Sequence, residues 1–195
     1  MPIDEPDETS EAAEYLRGQL LIASPKLVDP NFYHTVVLMI RHSEDGALGL
    51  VLNRATDKRV EEVWSELSEK PCNADLVLHL GGPVPGPLMA IHTDESLSDA
   101  EVLPGVYFSV DPEKIEQIVS RDDLPRKIFV GHSGWGGGQL EGELEQGGWL
   151  TMPATLGHAF HAGDELWQQI TKELVDSILL SKFKSEQIPK DASMN

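Results

Sequence analysis

The sequence predicts a single α+β domain built on a mixed β-sheet with flanking helices, and three observations carry that expectation. Short β-branched and apolar runs alternate with segments of helical periodicity along the chain. Residues 35–40 (TVVLMI) and 48–52 (LGLVL) are joined by Glu44-Asp45-Gly46, a hairpin signal, so part of the sheet is antiparallel. The 195 residues, 40% hydrophobic and 25% charged, suit one core, and no repeat, low-complexity block or interdomain linker divides them. Hairpins among interleaved helices favour α+β over a doubly wound parallel sheet.

Residues 1–10 are acidic and bear little to bury, so a mobile N-terminus is expected there. The domain is expected over 11–181, with a polar tail over 182–195. Residues 11–17 allow one or two helical turns capped by Ser10. Residues 19–23 read as a strand stopped by Ser24-Pro25, and Asp29-Pro30-Asn31 marks a loop. Val60, Val63, Trp64 and Leu67 recur at helical spacing, placing an amphipathic helix over 58–68. Residues 76–80 form a strand that runs into Gly81-Gly82-Pro83-Val84-Pro85-Gly86-Pro87, where missing donors and flexible glycines predict irregular backbone. A strand over 88–92, a surface loop over 93–103 and a strand over 106–110 follow. Asp111-Pro112 is a helix start, with proline at the first helical position. Residues 127–130 read as a buried strand that ends in a glycine turn over 131–138 and a short helix anchored by Leu140 and Leu144. Trp149-Leu150 begins a second strand. Helical spacing returns at Leu156, Ala159 and Phe160, then at Leu166, Trp167, Ile170 and Leu174.

Charge narrows the function. Thirty-three acidic against fifteen basic residues leave a net charge of -18, with a pI near 4.6. Affinity for nucleic acid and for anionic membranes draws on cations, so the balance argues against both as direct partners. No helix-turn-helix pattern or basic run appears, and Lys182, Lys184 and Lys190 are interleaved with Glu186. A single cysteine, Cys72, excludes an internal disulfide and fits a reducing compartment. The acidic N-terminus is unlike a secretory signal, and no apolar run reaches membrane-spanning length. The expectation is a soluble, cytoplasmic protein.

Residues 32–38 (FYHTVVL) with 46–54 (GALGLVLNR) resemble the first signature of the YqgE/AlgH family. Gly81-Gly82-Pro83-Val84 resembles its second, and residues 134–144 (GWGGGQLEGEL) with Trp149-Leu150 resemble its third. The resemblance spans about residues 17–170. It implies one α+β domain with a curved, barrel-like mixed β-sheet and flanking helices. The family is functionally uncharacterised, with a transcriptional regulatory role proposed for one branch. Two positions depart from the family pattern. Ala55 stands where proline usually follows Asn-Arg, and His132-Ser133 stand where Tyr-Ala is usual, which speaks against Ser133 as an essential nucleophile.

Five site chemistries can be weighed. A hydrolase would use the His132-Ser133 turn, but the nucleophile-elbow spacing fails at Trp135, and His158 and His161 precede Asp164 in the wrong order. A metal site on His158 and His161, which would share one helix face, lacks accompanying ligands. Gly134-Trp135-Gly136-Gly137-Gly138 suits a phosphate loop, but Gln139 breaks the dinucleotide spacing and Glu141, Glu143 and Glu145 oppose a polyphosphate. Direct DNA binding is disfavoured by charge. A ligand cleft remains, formed by Asn53, Arg54, Gly81, Gly82, Pro83, His132, Ser133, Gly134, Trp135 and Gln139 where three glycine-bearing strand ends meet. There Arg54 would clamp a carboxylate, with Trp135 as an apolar wall and Gln139 as an orienting amide. The expected protein is a binding or regulatory one, without a cofactor or metal, whose partner is a small molecule or protein. The hydrolase-like enzyme is the alternative.

Overall fold

The computed structural model describes residues 16–186 except 28, 69–71, 73, 74 and 164. The mobile residues expected over 1–10 and most of the first helical turns and the tail beyond 186 lie outside these. Ten strands are described: β1 (Gln19–Ala23), β2 (Val36–Ser43), β3 (Gly46–Val51), β4 (Ala55–Arg59), β5 (Val77–Leu80), β6 (Val84–His92), β7 (Ala100–Leu103), β8 (Val106–Ser109), β9 (Arg126–Gly136) and β10 (Trp149–Pro153). The α-helices among the described residues are α1 (Val60–Leu67), α2 (Pro112–Val119), α3 (Gln139–Glu145), α4 (Leu156–Ala159) and α5 (Leu166–Glu186). No helix among the described residues is long and apolar enough to cross a membrane.

The strands form one curled half-barrel sheet in the order β10-β1-β2-β3-β9-β6-β8-β7, with β5 beside β9 and β4 beside β5. Every pairing is antiparallel except β5 with β9, which makes the sheet mixed as expected. Alternation along the strands divides the core by face. The inner face gathers Leu20, Leu38, Leu50, Ile91 and Phe129 beneath α4 and α5, through Ala159, Leu166 and Ile170. The outer face carries two separate clusters. One joins α1 and α2 to Leu78, Leu88 and Ile128; the other joins α3 to Leu21, Val37, Met39, Trp135 and Trp149.

The hairpin β2–β3, the strand β1 and the Asp111-capped α2 form as expected. Asp111 Oδ1 accepts from the backbone amides of Glu113 and Lys114 at 2.9 and 3.1 Å, which satisfies two free helix donors. Five local expectations need correction. The backbone over 81–87 is not wholly irregular, because β6 begins at Val84. Val84 faces His132 and Leu88 faces Val130, so four residues of β6 span two of β9. That bulge holds Pro85, Gly86 and Pro87, where absent or misdirected donors cost little. The segment 131–136 is strand and not a turn, since Gly46–Gly49 of β3 pair with its second half. Residues 93–103 contain a 3-10 turn and β7. Ala55–Arg59, expected to include the start of a helix, is instead the exposed edge strand β4, and α1 begins at Val60. At the other end α5 continues through Glu186, past 181.

Candidate functional site

Strand β9 positions the site because it is shared three ways. One edge carries β5 along residues 128–130 and β3 along 133–136, while the other edge carries β6. The chain therefore leaves β5 on one side of β9 and enters β6 on the other. It crosses at Gly81-Gly82, directly against the β9 backbone. A Cβ on Gly81 would lie 2.3 Å from the Gly131 carbonyl oxygen, and one on Gly82 would lie 2.3 Å from the His132 carbonyl carbon. Only glycine permits two backbones to pass this closely. Gly81 is then bonded on all sides: its N–H donates to Val130 O at 2.9 Å, and its carbonyl accepts from Val51 N at 2.9 Å and from Ser133 Oγ at 3.2 Å.

The strand ends expected to converge do so here, yet their side chains serve the backbone. Ser133 is fully buried inside β9 with its hydroxyl given to Gly81 O, so neither an elbow nor an exposed nucleophile exists at 132–133. Asn53 Oδ1 accepts from Val36 N at 2.9 Å, and its Nδ2 donates to His34 O at 2.8 Å. Arg54 Nη2 donates to Tyr33 O at 2.8 Å. Together they brace a turn in which His34 takes a φ of +53°, a left-handed conformation uncommon outside glycine. The His34 ring is stacked between Tyr33 and Trp167, at centroid distances of 3.8 and 4.0 Å. Arg54, expected as a carboxylate clamp, is thus committed to a carbonyl.

Trp135 and Gln139 belong elsewhere. Trp135 pairs with Ala47 and is buried on the outer face. Its ring stacks on Phe32 at 5.9 Å and meets Trp149 edge-on at 6.1 Å. Glu143 closes the group. Its Oε2 accepts from Trp135 Nε1 at 3.0 Å and from Trp149 Nε1 at 2.8 Å, while Gln139 Nε2 donates to Oε1 at 3.1 Å. Gln139 also accepts from Gly136 N at 3.1 Å. The third signature is therefore a tryptophan clasp under α3. Exposed Gly134 and Pro83 and half-buried His132 lie between the crossing and this clasp.

Concave space lies on the inner face. A cavity of about 390 Å³ is lined by Leu52, Asn53, Ala55, His79, Arg126, Lys127, Phe160 and His161, among others. Lys127 is the residue that sequence reading passed over. It faces Ile91 across the ladder and lies two residues before Phe129, so it occupies an inward register otherwise filled by core residues. It is 8% exposed. Its Nζ donates to Leu52 O at 3.2 Å, and among the described residues it makes no ion pair with a carboxylate. Burial pushes its ammonium pKa down from 10.5 to about 8. Beside it, Arg126 is 7% exposed at its side chain. One Arg126 nitrogen reaches Asp122 at 3.1 Å and another Leu124 O at 3.3 Å, while Nε has no partner among the described residues. His79 Nδ1 bonds Val77 O at 3.2 Å, and its ring leans on Phe129. The alternation Lys127, Phe129 was the available signal: two residues apart on a strand share a face.

The other histidines are structural or separate. His158 Nε2 lies 3.2 Å from Glu173 and its Nδ1 accepts from Thr155 N, whereas α4 ends at Ala159 and His161 turns to the cavity, so the two do not share a helix face. His92 is fully buried. Its Nδ1 accepts from Asp94 N, so Nε2 donates to Ser109 Oγ at 2.9 Å, whose hydroxyl in turn donates to Leu97 O. Desolvation holds His92 below the ordinary histidine pKa, in the neutral form. A larger concavity of about 500 Å³ between α1 and α2 is lined by residues such as Val63, Trp64, Pro87, Ile115 and Val130, with Glu116 its one charged lining residue among those described.

Fold and site together define a curled half-barrel α+β domain with a basic-lined cavity on its inner face. Comparison with known proteins places this class. A family model described as AlgH-like matches residues 20–178. A UPF0301 protein of Chlorobaculum tepidum is 37% identical over 149 residues, covering 73% of this chain and 78% of that protein. One of Ruegeria pomeroyi is 35% identical over 85% of this chain and 96% of its own length. The solution structure of AlgH from Pseudomonas aeruginosa superposes with a TM-score of 0.70 at 29% identity, over 88% of this chain and 90% of that one. A protein of Corynebacterium diphtheriae gives 0.67 at 25% identity, over 84% and 90%. The chain belongs to the AlgH-like family of uncharacterised proteins.

Proposed function

We propose that this AlgH-like protein is a cytoplasmic binding protein with a regulatory role, whose ligand is a small organic anion held in the Lys127 cavity. One observation carries the reading: a lysine 8% exposed, on an inward strand register, whose partner among the described residues is a neutral carbonyl. An ammonium out of water without a counter-charge is costly, and such groups concentrate at sites where a ligand supplies the missing charge. Two of the chain's fifteen Lys and Arg, Lys127 and Arg126, line this space together with His79 and His161, so basic side chains meet where an anion is wanted. The apolar share of the lining, Leu52 and Phe160, suits a short carbon chain. Regulation would pass through ligand occupancy to a protein partner, because the charge balance disfavours direct contact with DNA.

The test is a thermal-shift and calorimetric panel of propionate, butyrate and inorganic phosphate on the wild type, Lys127→Met and Arg54→Ala. An acid that stabilises the wild type and Arg54→Ala but leaves Lys127→Met unmoved supports the reading. Equal stabilisation of Lys127→Met, or no effect of any acid on the wild type, would overturn it.

A further inference from the structure

We infer that Lys127 is a covalent site, whose ε-amine condenses reversibly with a small 2-oxo acid to form an imine inside the cavity. The inference rests on the anion-binding reading and goes beyond it, since it asks the amine to act as a nucleophile.

The geometry supplies what an imine-forming lysine needs. Lys127 lines a cavity of about 390 Å³, within the range that holds small metabolites, and its Nζ bonds Leu52, another lining residue. Its hydrogen bond to Leu52 O at 3.2 Å fixes Nζ at the wall, and no ion-paired carboxylate among the described residues holds it in the charged form. Desolvation favours the neutral amine, with a pKa of about 8. At pH 7.5 the free-base fraction is then on the order of two-hundred-fold that of an ordinary lysine. This is the activation used by lysines that form Schiff bases. The acid function of the ligand follows from the neighbouring wall. His79 and His161 stand on that lining with Arg126, whose guanidinium also reaches Asp122 at 3.1 Å. A carboxylate next to the carbonyl would pair with these groups and leave the carbonyl carbon to Lys127.

The step balances without an added reagent. The Nζ lone pair bonds the carbonyl carbon, and the C=O π pair moves to oxygen, which takes a proton from Nζ to give the carbinolamine. Loss of that hydroxyl as water, with the second Nζ proton, leaves the imine. The net change is amine plus 2-oxo acid to imine plus water, with no oxidant or reductant.

The experiment incubates the full chain with pyruvate and sodium cyanoborohydride, which reduces an imine to a stable secondary amine. Intact mass and peptide mapping then locate the label in the wild type, Lys127→Arg and Lys127→Met. Propionate, which has no carbonyl, is run alongside by thermal shift. The expected result is a single adduct at Lys127, at least tenfold above any other lysine and absent from both variants. Carbon-13 pyruvate on the wild type should also give an imine carbon signal, a readout that needs no variant to fold. Label spread evenly over surface lysines, or undiminished in Lys127→Arg, would overturn the inference. If propionate stabilises the wild type and pyruvate leaves no adduct at Lys127, the covalent step falls and the binding cavity stands. If neither acid stabilises the wild type and no adduct forms, both fall.

Discussion

Replacing Lys127 by methionine removes a buried charge while keeping an unbranched chain of similar length, so its effect on stability can be worked from the structure. Burial holds the Lys127 ammonium at a pKa of about 8, against 10.5 for an ordinary lysine. Between those values the unfolded chain carries the proton and the folded chain does not, so stability rises with pH across that window. Below about pH 8 both states are protonated, and the folded state bears the full cost of holding the ion out of water. At about 1.4 kcal/mol per tenfold change, the gap corresponds to an upper figure of about 3 kcal/mol at pH 7. Against this, methionine cannot donate to Leu52 O, and the carbonyl left behind costs about 1 kcal/mol. The net expectation for Lys127→Met is a stabilisation of about 2 kcal/mol at pH 7, or about 4–8 °C in Tm for a chain of this size. Urea denaturation of both proteins at pH 7, 8, 9 and 10 measures it. The two stability curves should converge as pH rises and meet by about pH 10. A variant that is less stable at pH 7, with a curve parallel to the wild type, would show that the ammonium is already compensated and would refute the reasoning.

Three further outcomes are expected. Glu143→Ala strips one acceptor from the indoles of Trp135 and Trp149, and should cost about 2–3 kcal/mol with a change in tryptophan fluorescence; an unchanged spectrum would dissolve the clasp. Asn53→Ala frees Val36 N and His34 O and should cost about 2 kcal/mol in chemical denaturation, more than Arg54→Ala, whose one bond is at the surface. Gly82→Ala sets a Cβ 2.3 Å from the β9 backbone and should cost more than about 3 kcal/mol, read as loss of soluble protein or a collapsed Tm; normal stability would mean the crossing is looser than described.

Much of the fold was legible because local chemistry and tertiary role agreed. The Glu44-Asp45-Gly46 turn, the Asp111-Pro112 cap and the apolar spacing of α1 and α2 say the same thing locally as they do in the sheet. Elements decided by a neighbour were hidden. β4 is polar and exposed, so nothing in its own residues marks a strand; it exists because β5 offers an edge. The glycines at 131 to 136 look like a turn until β3 and the Gly81-Gly82 crossing require small residues inside a long strand. The site divided along the same line. That Asn53, Arg54, Gly81, Gly82 and Ser133 meet was readable from glycine-bearing strand ends. That their polar atoms are turned onto backbone partners was not, since hydrogen-bond partners so remote in sequence leave no local trace. Lys127 escaped because a lone lysine beside a strand reads as solvent-facing until register places it opposite Ile91.

The central claim is that a cavity lysine awaits a counter-ion, and the titration of that one amine tests it most directly. Heteronuclear NMR on protein with isotopically labelled lysine can follow the Lys127 side chain through pH, with and without saturating propionate. The account expects a midpoint near 8 in the free protein, moving upward by about one pH unit or more when the acid binds, because the carboxylate favours the charged form. An ordinary lysine midpoint in the free protein, or one near 8 that propionate leaves in place, would contradict it.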